Sequence, residues 1–525
     1  MELTASTSRA RKVKCDEAKP YCSRCISTGR HCEGYVARTP SPPLTAAHAA
    51  LVPSYPGLFD SPAEKRSFQF FQSHASKVLG GSFAPAFWGR EVMQAAIHYP
   101  PIRHLVVALG AAYEDLEAGA LSGNGKRHRG HNGDFGDDRE FALQQCNRSI
   151  RQLATLSSAE AASGRQAPET VYCVITASIL FIYLASIRGH MAEAIQHTRS
   201  AIRVLQDLED RVESSPGTTP PSFPVPLAQL RALLTSVYGQ LRCMIEDVLL
   251  EVSGRDMLVT GQKPATIFLS LTEAHAYVER LFHNCLAFFQ TTTRYPPSTP
   301  EQLKAMASRH RQLCESLESS QGALDALEAS LRPQQSQDWE VENGILILRV
   351  YQILLSIRLR INILRPDRRE SAFDNLEAQL EEMVTLCEQI VANEKRIRHT
   401  SSSSSSPPSP SSPSCVAGLG FVMPLHTVAS RCRNPRIRRR AVQLLLECSR
   451  REGIWDSLIT GKVVAQTVEL EEEFMDPAAV QQDQDPELKE QGRVWNTKIE
   501  LQGERSALIR FQVVGRGEVQ KLIRW

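Results

Sequence analysis

The sequence lacks several things that would have given a function at once. It has almost no net charge: 60 Lys and Arg stand against 58 Asp and Glu, a formal +2. The molecule as a whole is therefore no polyanion binder, and any nucleic-acid contact has to be local. No apolar h-region follows Met1 to Ser8, only a basic run, so secretion is not expected. The longest apolar run, Val171 to Ile187, is 17 residues with Thr176, Ser178 and Ser186 inside it. A bilayer span takes about 20 apolar residues, so this run predicts a buried helix and no membrane partner. There is no Gly-rich phosphate loop, no nucleophile elbow and no His pair at metalloprotease spacing, and the expectation is that the chain is not an enzyme. No period of 30 to 50 residues aligns along the chain, so a solenoid is not supported.

What is present reads as a globular protein of two to four units, with 525 residues, 42% hydrophobic and 22% charged. Helical spacing of apolar residues recurs through Phe87–Leu116, Phe141–Leu153, Val171–Leu208, Pro226–Val252, Leu271–Gln290, Pro300–Leu331, Val341–Leu364, Ser371–Arg396 and Val428–Glu473. Period-two patterning is almost absent, so the fold class expected is all-α. Ser61, Pro62 and Glu64 mark a helix start, with a capping residue, a proline suited to the first turn and an acid three residues after the cap.

Composition shifts divide the chain. Residues 1–35 are basic and cysteine-rich, and 36–60 form a linker with five prolines (Pro40, Pro42, Pro43, Pro53, Pro56). Residues 61–398 form a helical domain, 399–415 a Ser/Pro insert expected to be disordered, and 416–475 a helical continuation. Residues 476–525 form a tail that alternates like a strand around Ala507–Val514. The stretch Gly123–Asp138, rich in Gly, His and charge, reads as a loop with no chemistry of its own.

Residues 1–40 hold eight basic side chains against four acidic ones and net +4, leaving −2 for the rest. Of thirteen cysteines, nine are scattered through apolar helical stretches and read as buried reduced thiols. The other four, Cys15, Cys22, Cys25 and Cys32, fall in RARKVKCDEAKPYCSRCISTGRHCEGY (Arg9–Tyr35) with the spacing C-x6-C-x2-C-x6-C. Thiolates are good zinc ligands, and a C-x2-C pair lets two sulfurs reach one ion from a single turn, so zinc is the expected cofactor. The basic residues Arg9, Arg11, Lys12, Lys14 and Lys19 are placed to contact phosphates and base edges of double-stranded DNA.

This segment resembles the fungal zinc binuclear cluster regulators, in which six cysteines, C-x2-C-x6-C followed by C-x2-C-x6-C, hold two zinc ions. The likeness takes in the basic run Arg9–Lys14, the pair Cys15-Asp16, Lys19-Pro20 before Cys22, and Gly29 before Cys32. It implies that Cys15, Cys22, Cys25 and Cys32 are the third to sixth ligands, that Arg11 and Lys12 read the major groove, and that Pro20 shapes the loop between two short helices. It also implies CGG-type half-sites, contact with the transcription machinery at RNA polymerase II genes, and a nuclear location. Control of a metabolic or secondary-metabolite gene cluster is common in the family. By the same spacing the first two ligands fall on Ala5 and Ser8, so the cluster is N-terminally incomplete as written. An upstream exon carrying the first C-x2-C would restore two zinc ions; a real loss leaves one or none, and a helical interaction protein of the same ancestry.

The body resembles the helical domain that follows zinc clusters in such regulators. The likeness is carried by Arg66–Trp88, His104–Glu114, Arg188–Leu205 and Arg439–Ser457, in that order. The arginines Arg431, Arg433, Arg436, Arg438, Arg439 and Arg440 read as a solvated helix face. The linker prolines interrupt any coiled coil behind the cluster, which leaves either monomeric binding or dimerisation through the helical region.

Overall fold

The computed structural model describes residues 57–83, 86–121, 138–163, 168–214, 223–244, 264–331, 338–361, 370–401, 414–474, 492–502 and 506–524. The chain divides into two units at Asp60/Ser61. All but residues 57–60 of the first unit, together with the Gly/His-rich stretch 122–137 and the Ser/Pro insert 402–413, lie outside the described residues. The architecture that follows is that of the second unit.

The first helix, α1 (Pro62–Phe70), starts as its sequence predicts. Ser61 has an extended backbone, its Oγ accepts from the Glu64 amide at 3.2 Å, and Pro62 fills the first turn. The Glu64 side chain does not fold back onto the cap. It is buried, and its carboxylate accepts from Gln145 Nε2 at 2.9 Å and Arg148 at 2.5 Å. A π-turn (Phe71–Ala75) and a last turn (Ser76–Gly80) continue α1. Then come α2 (Val92–His98), α3 (Pro100–Leu121), α4 (Asp138–Ser163), α5 (Pro168–Arg188) and α6 (Met191–Ser214). α3 is central to this half, packing on α1, α4 and α5.

The apolar run is α5, long and apolar enough to cross a membrane but with 83% of its most apolar window buried inside the protein. The helical stretch Val171–Leu208 divides into α5 and α6 at Gly189, where Arg188, Gly189 and His190 read in the sequence as a helix end. Gly189 breaks it at φ +77, donating to Ser186 O while the His190 amide donates to Ala185 O. That pair of bonds is a glycine C-cap that satisfies the last carbonyls, and Arg188 lies in the turn where positive charge suits the helix dipole.

The second half runs α7 (Leu227–Met244), α8 (Leu271–Arg294), α9 (Pro300–Leu331), α10 (Trp339–Arg360) and α11 (Glu377–Ser401). α8, α9 and α10 pack on one another, and α10 packs on α11. The block expected to be helical from Val428 to Glu473 is broken up: α12 (Val422–Arg431), α13 (Pro435–Glu447), a hairpin, then α14 (Ser457–Glu472). Asn434 and Asp456 cap α13 and α14, and between those helices Ser449 (φ +39) and Gly453 (φ +57) take left-handed conformations that no helix tolerates. The hairpin strands β2 (Arg450–Glu452) and β3 (Trp455–Asp456) are joined by β1 (Ser414–Val416), which pairs parallel to β2.

The protein is thus all-α with two small three-stranded sheets. The second consists of β4 (Val494–Leu501), β5 (Ser506–Val513) and β6 (Gly517–Arg524), antiparallel in that order. Along β5, buried and half-buried residues alternate strictly. Ala507, Ile509, Phe511 and Val513 form a core with Ile459, Val463 and Leu470 of α14.

The backbones of α1 and α3 meet at Gly110, where an added Cβ would lie 2.1 Å from the Ser67 carbonyl oxygen. Gly110→Ala therefore lowers stability by about 1–3 kcal/mol despite its better helix propensity. Gly322→Ala in the exposed middle of α9, where a Cβ meets nothing, raises it by about 1 kcal/mol. Urea unfolding of the two variants should move in opposite directions; equal effects would refute the close approach.

Candidate functional sites

Every residue expected to bind metal (Cys15, Cys22, Cys25, Cys32) or DNA (Arg9, Arg11, Lys12, Lys14, Lys19) lies outside the described residues. Their chemistry is carried by the sequence: four thiolates suffice for one tetrahedral zinc and fall two short of a six-cysteine pair of ions. The nine other cysteines are free thiols, six of them buried. Burial raises their pKa values, to about 12 for Cys173 and Cys415, which keeps them protonated and poor ligands. Among the described residues no group of His, Cys, Asp or Glu is arranged to hold a metal.

In the helical unit the chemistry concentrates around β2. Arg450, 3% exposed, pairs with Glu452 on the same strand and with Glu394 of α11, and its guanidinium lies 4.6 Å from the centre of the Phe421 ring. These carboxylates hold Arg450 firmly charged despite its desolvation. The Glu452 carboxylate also accepts from the amides of Phe421 (3.0 Å) and Val422 (2.8 Å), anchoring the N-terminus of α12, where negative charge is favoured. A Cβ on Gly420 would fall 2.0 Å from the Glu452 carboxyl carbon, so the turn before α12 requires glycine.

Around this knot the segments quoted from the sequence come together. The Tyr113 hydroxyl accepts from the Cys415 amide, the Tyr183 hydroxyl donates to Ala417 O, and the Ala417 amide donates to Leu79 O. Ser186 Oγ donates to Gly453 O, Arg451 donates to Ile187 O, and Gln240 accepts from the Ile454 amide. Trp88 packs edge-on against Tyr183 at 4.9 Å. A narrow cleft lies beside the knot, walled by Gln240, Cys243, His283, Tyr351, Glu452 and Trp455. Among the described residues His283 Nε2 and Trp455 Nε1 have no hydrogen-bond partner.

The reading of Arg431–Arg440 as a solvated face holds for Arg436 and Arg439, which are exposed, and is overturned for the other four arginines. Arg438, 1% exposed, pairs with the fully buried Glu471 at 2.6 Å, and Arg433 pairs with Glu471 and Glu370. Arg431 pairs with Glu370 and donates to the carbonyls of Val494 and Trp495, while Glu471 accepts the Val494 amide. Arg440 makes two bonds to Glu388. Arg431, Arg433, Arg438 and Arg440 join α13 to its neighbours and dock the C-terminal sheet, so these four are engaged inside the protein. Density of positive charge was legible in the sequence; the distant acids that absorb it, Glu370, Glu388 and Glu471, were not.

Residues 8–41 match the family of the fungal Zn(2)-Cys(6) binuclear cluster domain. The chain thus carries a zinc-cluster domain over residues 8–41, with zinc as its cofactor, ahead of a large helical body, and it is similar to fungal transcription regulators. It is 24% identical to the aspercryptin biosynthesis cluster-specific transcription regulator atnN of Emericella nidulans, over 89% of this chain and 87% of that protein. It is 27% identical to the transcription regulator lscL of Purpureocillium lilacinum, over 39% of this chain and 49% of the relative. It is 41% identical to the transcriptional regulatory protein moc3 of Schizosaccharomyces pombe across 58 residues, 10% of this chain and 11% of that one. No solved structure matches.

Two outcomes are expected. Glu452→Ala leaves Arg450 half-paired and two amides at the start of α12 without their acceptor; it lowers stability by about 3–5 kcal/mol, read by urea unfolding. Unfolding free energy also falls on acidification. Desolvation lowers the pKa of His275, and lowers those of His283 and His426 to about 4, with Arg431 and Arg358 adding to the effect at His426. Below about pH 6.5 the unfolded chain binds protons that the folded one refuses, so stability is full above that pH and declines toward pH 4. His74, raised by its bond to Glu117, works in the opposite sense as a minority of one. Flat stability between pH 6.5 and 4 would contradict the burial of these rings.

Proposed function

We propose that the chain controls transcription of a metabolic or secondary-metabolite gene cluster by RNA polymerase II in the nucleus. In this reading residues 1–35 bind CGG-type half-sites and residues 61–475 act as the regulatory domain that meets the transcription machinery. What supports this is the cysteine-rich basic segment within the zinc-cluster match, combined with near full-length similarity to a regulator named for a biosynthesis cluster. Cys15, Cys22, Cys25 and Cys32 hold the metal; Arg9, Arg11, Lys12, Lys14 and Lys19 contact the DNA. Zinc supplies no reaction here: it cross-links short segments that cannot build a core of their own.

Ala5 and Ser8, at the positions of the first two ligands, favour a second reading in which the chain has lost DNA binding and acts by occupying partners. Metal content and DNA affinity separate the two. Zinc per chain is measured by atomic emission, and binding to a CGG-containing duplex is followed against salt. The sequence as it stands holds one zinc at most. Ala5→Cys with Ser8→Cys raises the content to two and strengthens binding; Cys25→Ser abolishes it. With phosphate contacts from up to five Lys and Arg, the log–log salt slope is no steeper than about −5. A double variant that gains neither zinc nor affinity supports the interaction protein.

A further inference from the structure

The two edges of the C-terminal sheet differ in a way that points to a partner. The β4 edge is blunted: its register shifts between Val494 and Asn496, and Arg431 occupies the carbonyls of Val494 and Trp495. Among the described residues the β6 edge has one such contact, Lys462 Nζ donating to the Arg524 carbonyl at its end at 2.7 Å. Gly517–Arg524 keeps unbroken register with β5 over eight residues and contains no proline. Among the described residues no backbone hydrogen bond joins β6 to anything but β5. Its central charge, Lys521, turns under the sheet toward Glu469 of α14 at 3.8 Å, and its other two charges, Glu518 and Arg524, lie near the strand's ends. An exposed, regular edge strand whose middle is open is a template for another strand.

We propose that β6 pairs antiparallel with β6 of a second copy, making a continuous six-stranded sheet across a two-fold axis at Lys521. The occupant follows from the strand's own sequence. In β6 the residues paired to the buried positions of β5 are Val519, Lys521 and Ile523, so Glu518, Gln520, Leu522 and Arg524 share the outer face. Pairing about Lys521 sets residue i opposite 1042 − i of the partner strand. Glu518, which in its own chain accepts from Arg510, Gln512 and Gln520, then meets the partner's Arg524 as a second cation, twice over, Val519 meets the partner's Ile523 on the inner face, and Gln520 meets the partner's Leu522. The two Leu522 side chains, each 51% exposed in the single chain, come diagonally together across the axis. The two Lys521 ammonium groups meet at the axis with a Glu469 beside each. Sliding the pairing to centre on Gln520 opposes Arg524 to Arg516 and loses both ion pairs. Opposite charges at 518 and 524 therefore select one register of self-pairing.

This contact is separate from zinc and DNA binding and is tested on the full-length chain by sedimentation velocity. The wild type is expected to sediment as a dimer, with twice the 58.4 kDa mass of one chain. Arg524→Glu puts like charges opposite each other at both ends and is expected to raise the dissociation constant by at least about tenfold. On an Arg510→Gln background, which removes the cation that pairs with Glu518 in the same chain, Glu518→Arg combined with Arg524→Glu restores the attraction with the signs exchanged and is expected to recover the dimer. Circular dichroism and the unfolding midpoint of Arg524→Glu should match the wild type, since Arg524 is exposed. A monomeric wild type overturns the proposal, as does a dimer that Arg524→Glu leaves unchanged; failure of the exchanged pair to recover association overturns the register.

Discussion

The helical unit depends on a charge placed where charge is costly. Arg450 is buried, and its guanidinium is acceptable there only because Glu452 and Glu394 approach it and an aromatic face lies under it. Those partners come from β2 and α11, and Glu452 in turn fixes the first amides of α12. One ion-pair knot thus sets the relative positions of three elements far apart in sequence. The same strand carries, on its neighbours, the bonds to α5 and α7. A hydrophobic cluster of similar size would bind as tightly and specify less, because it has no directional bonds to lose on slipping.

A second use of charge follows the same logic at the other end of α12. The arginines before and within α13 meet Glu370, Glu388 and Glu471, and through Arg431 and Glu471 they hold the first residues of β4. The C-terminal sheet contributes its own apolar core with α14, but its orientation is set by these polar contacts and by the bidentate pair of Arg493 with Asp374. Positive charge that would suit a nucleic-acid surface is spent inside the protein.

Much of this was legible in the sequence, in proportion to how local the physics is. The all-α class, the start of α1 at Ser61–Pro62, the helix end at Gly189 and the buried character of α5 follow from caps, glycines and periodicity within a few residues. The cysteine spacing and adjacent basic run pointed to the zinc-cluster class for the same reason: the four cysteines fall within eighteen residues. What could not be read was long-range. The break of the Val428–Glu473 block by a hairpin depends on Ser449 accepting a left-handed backbone, held by pairing with a strand 36 residues upstream. The role of Arg438 depends on Glu471, and nothing in a helical wheel distinguishes an arginine facing water from one facing a buried carboxylate 33 residues away.

The parallel pairing of β1 with β2 has a consequence for where this chain tolerates alteration. β1 is fastened on all sides by groups that precede the Ser/Pro insert by hundreds of residues or follow it: Tyr113, Tyr183 and Leu79 on one side, Arg450–Gly453 on the other. α11, at the near end of the insert, is fastened separately through Glu394, Glu388 and its packing on α10. Peptide continuity between residues 401 and 414 is not among the bonds that hold the two sides together. The helical unit is in effect two interlocking pieces, one ending at residue 401 and one starting at 414, so a reporter spliced between them, or expression of the two as separate chains, leaves the interlock itself intact.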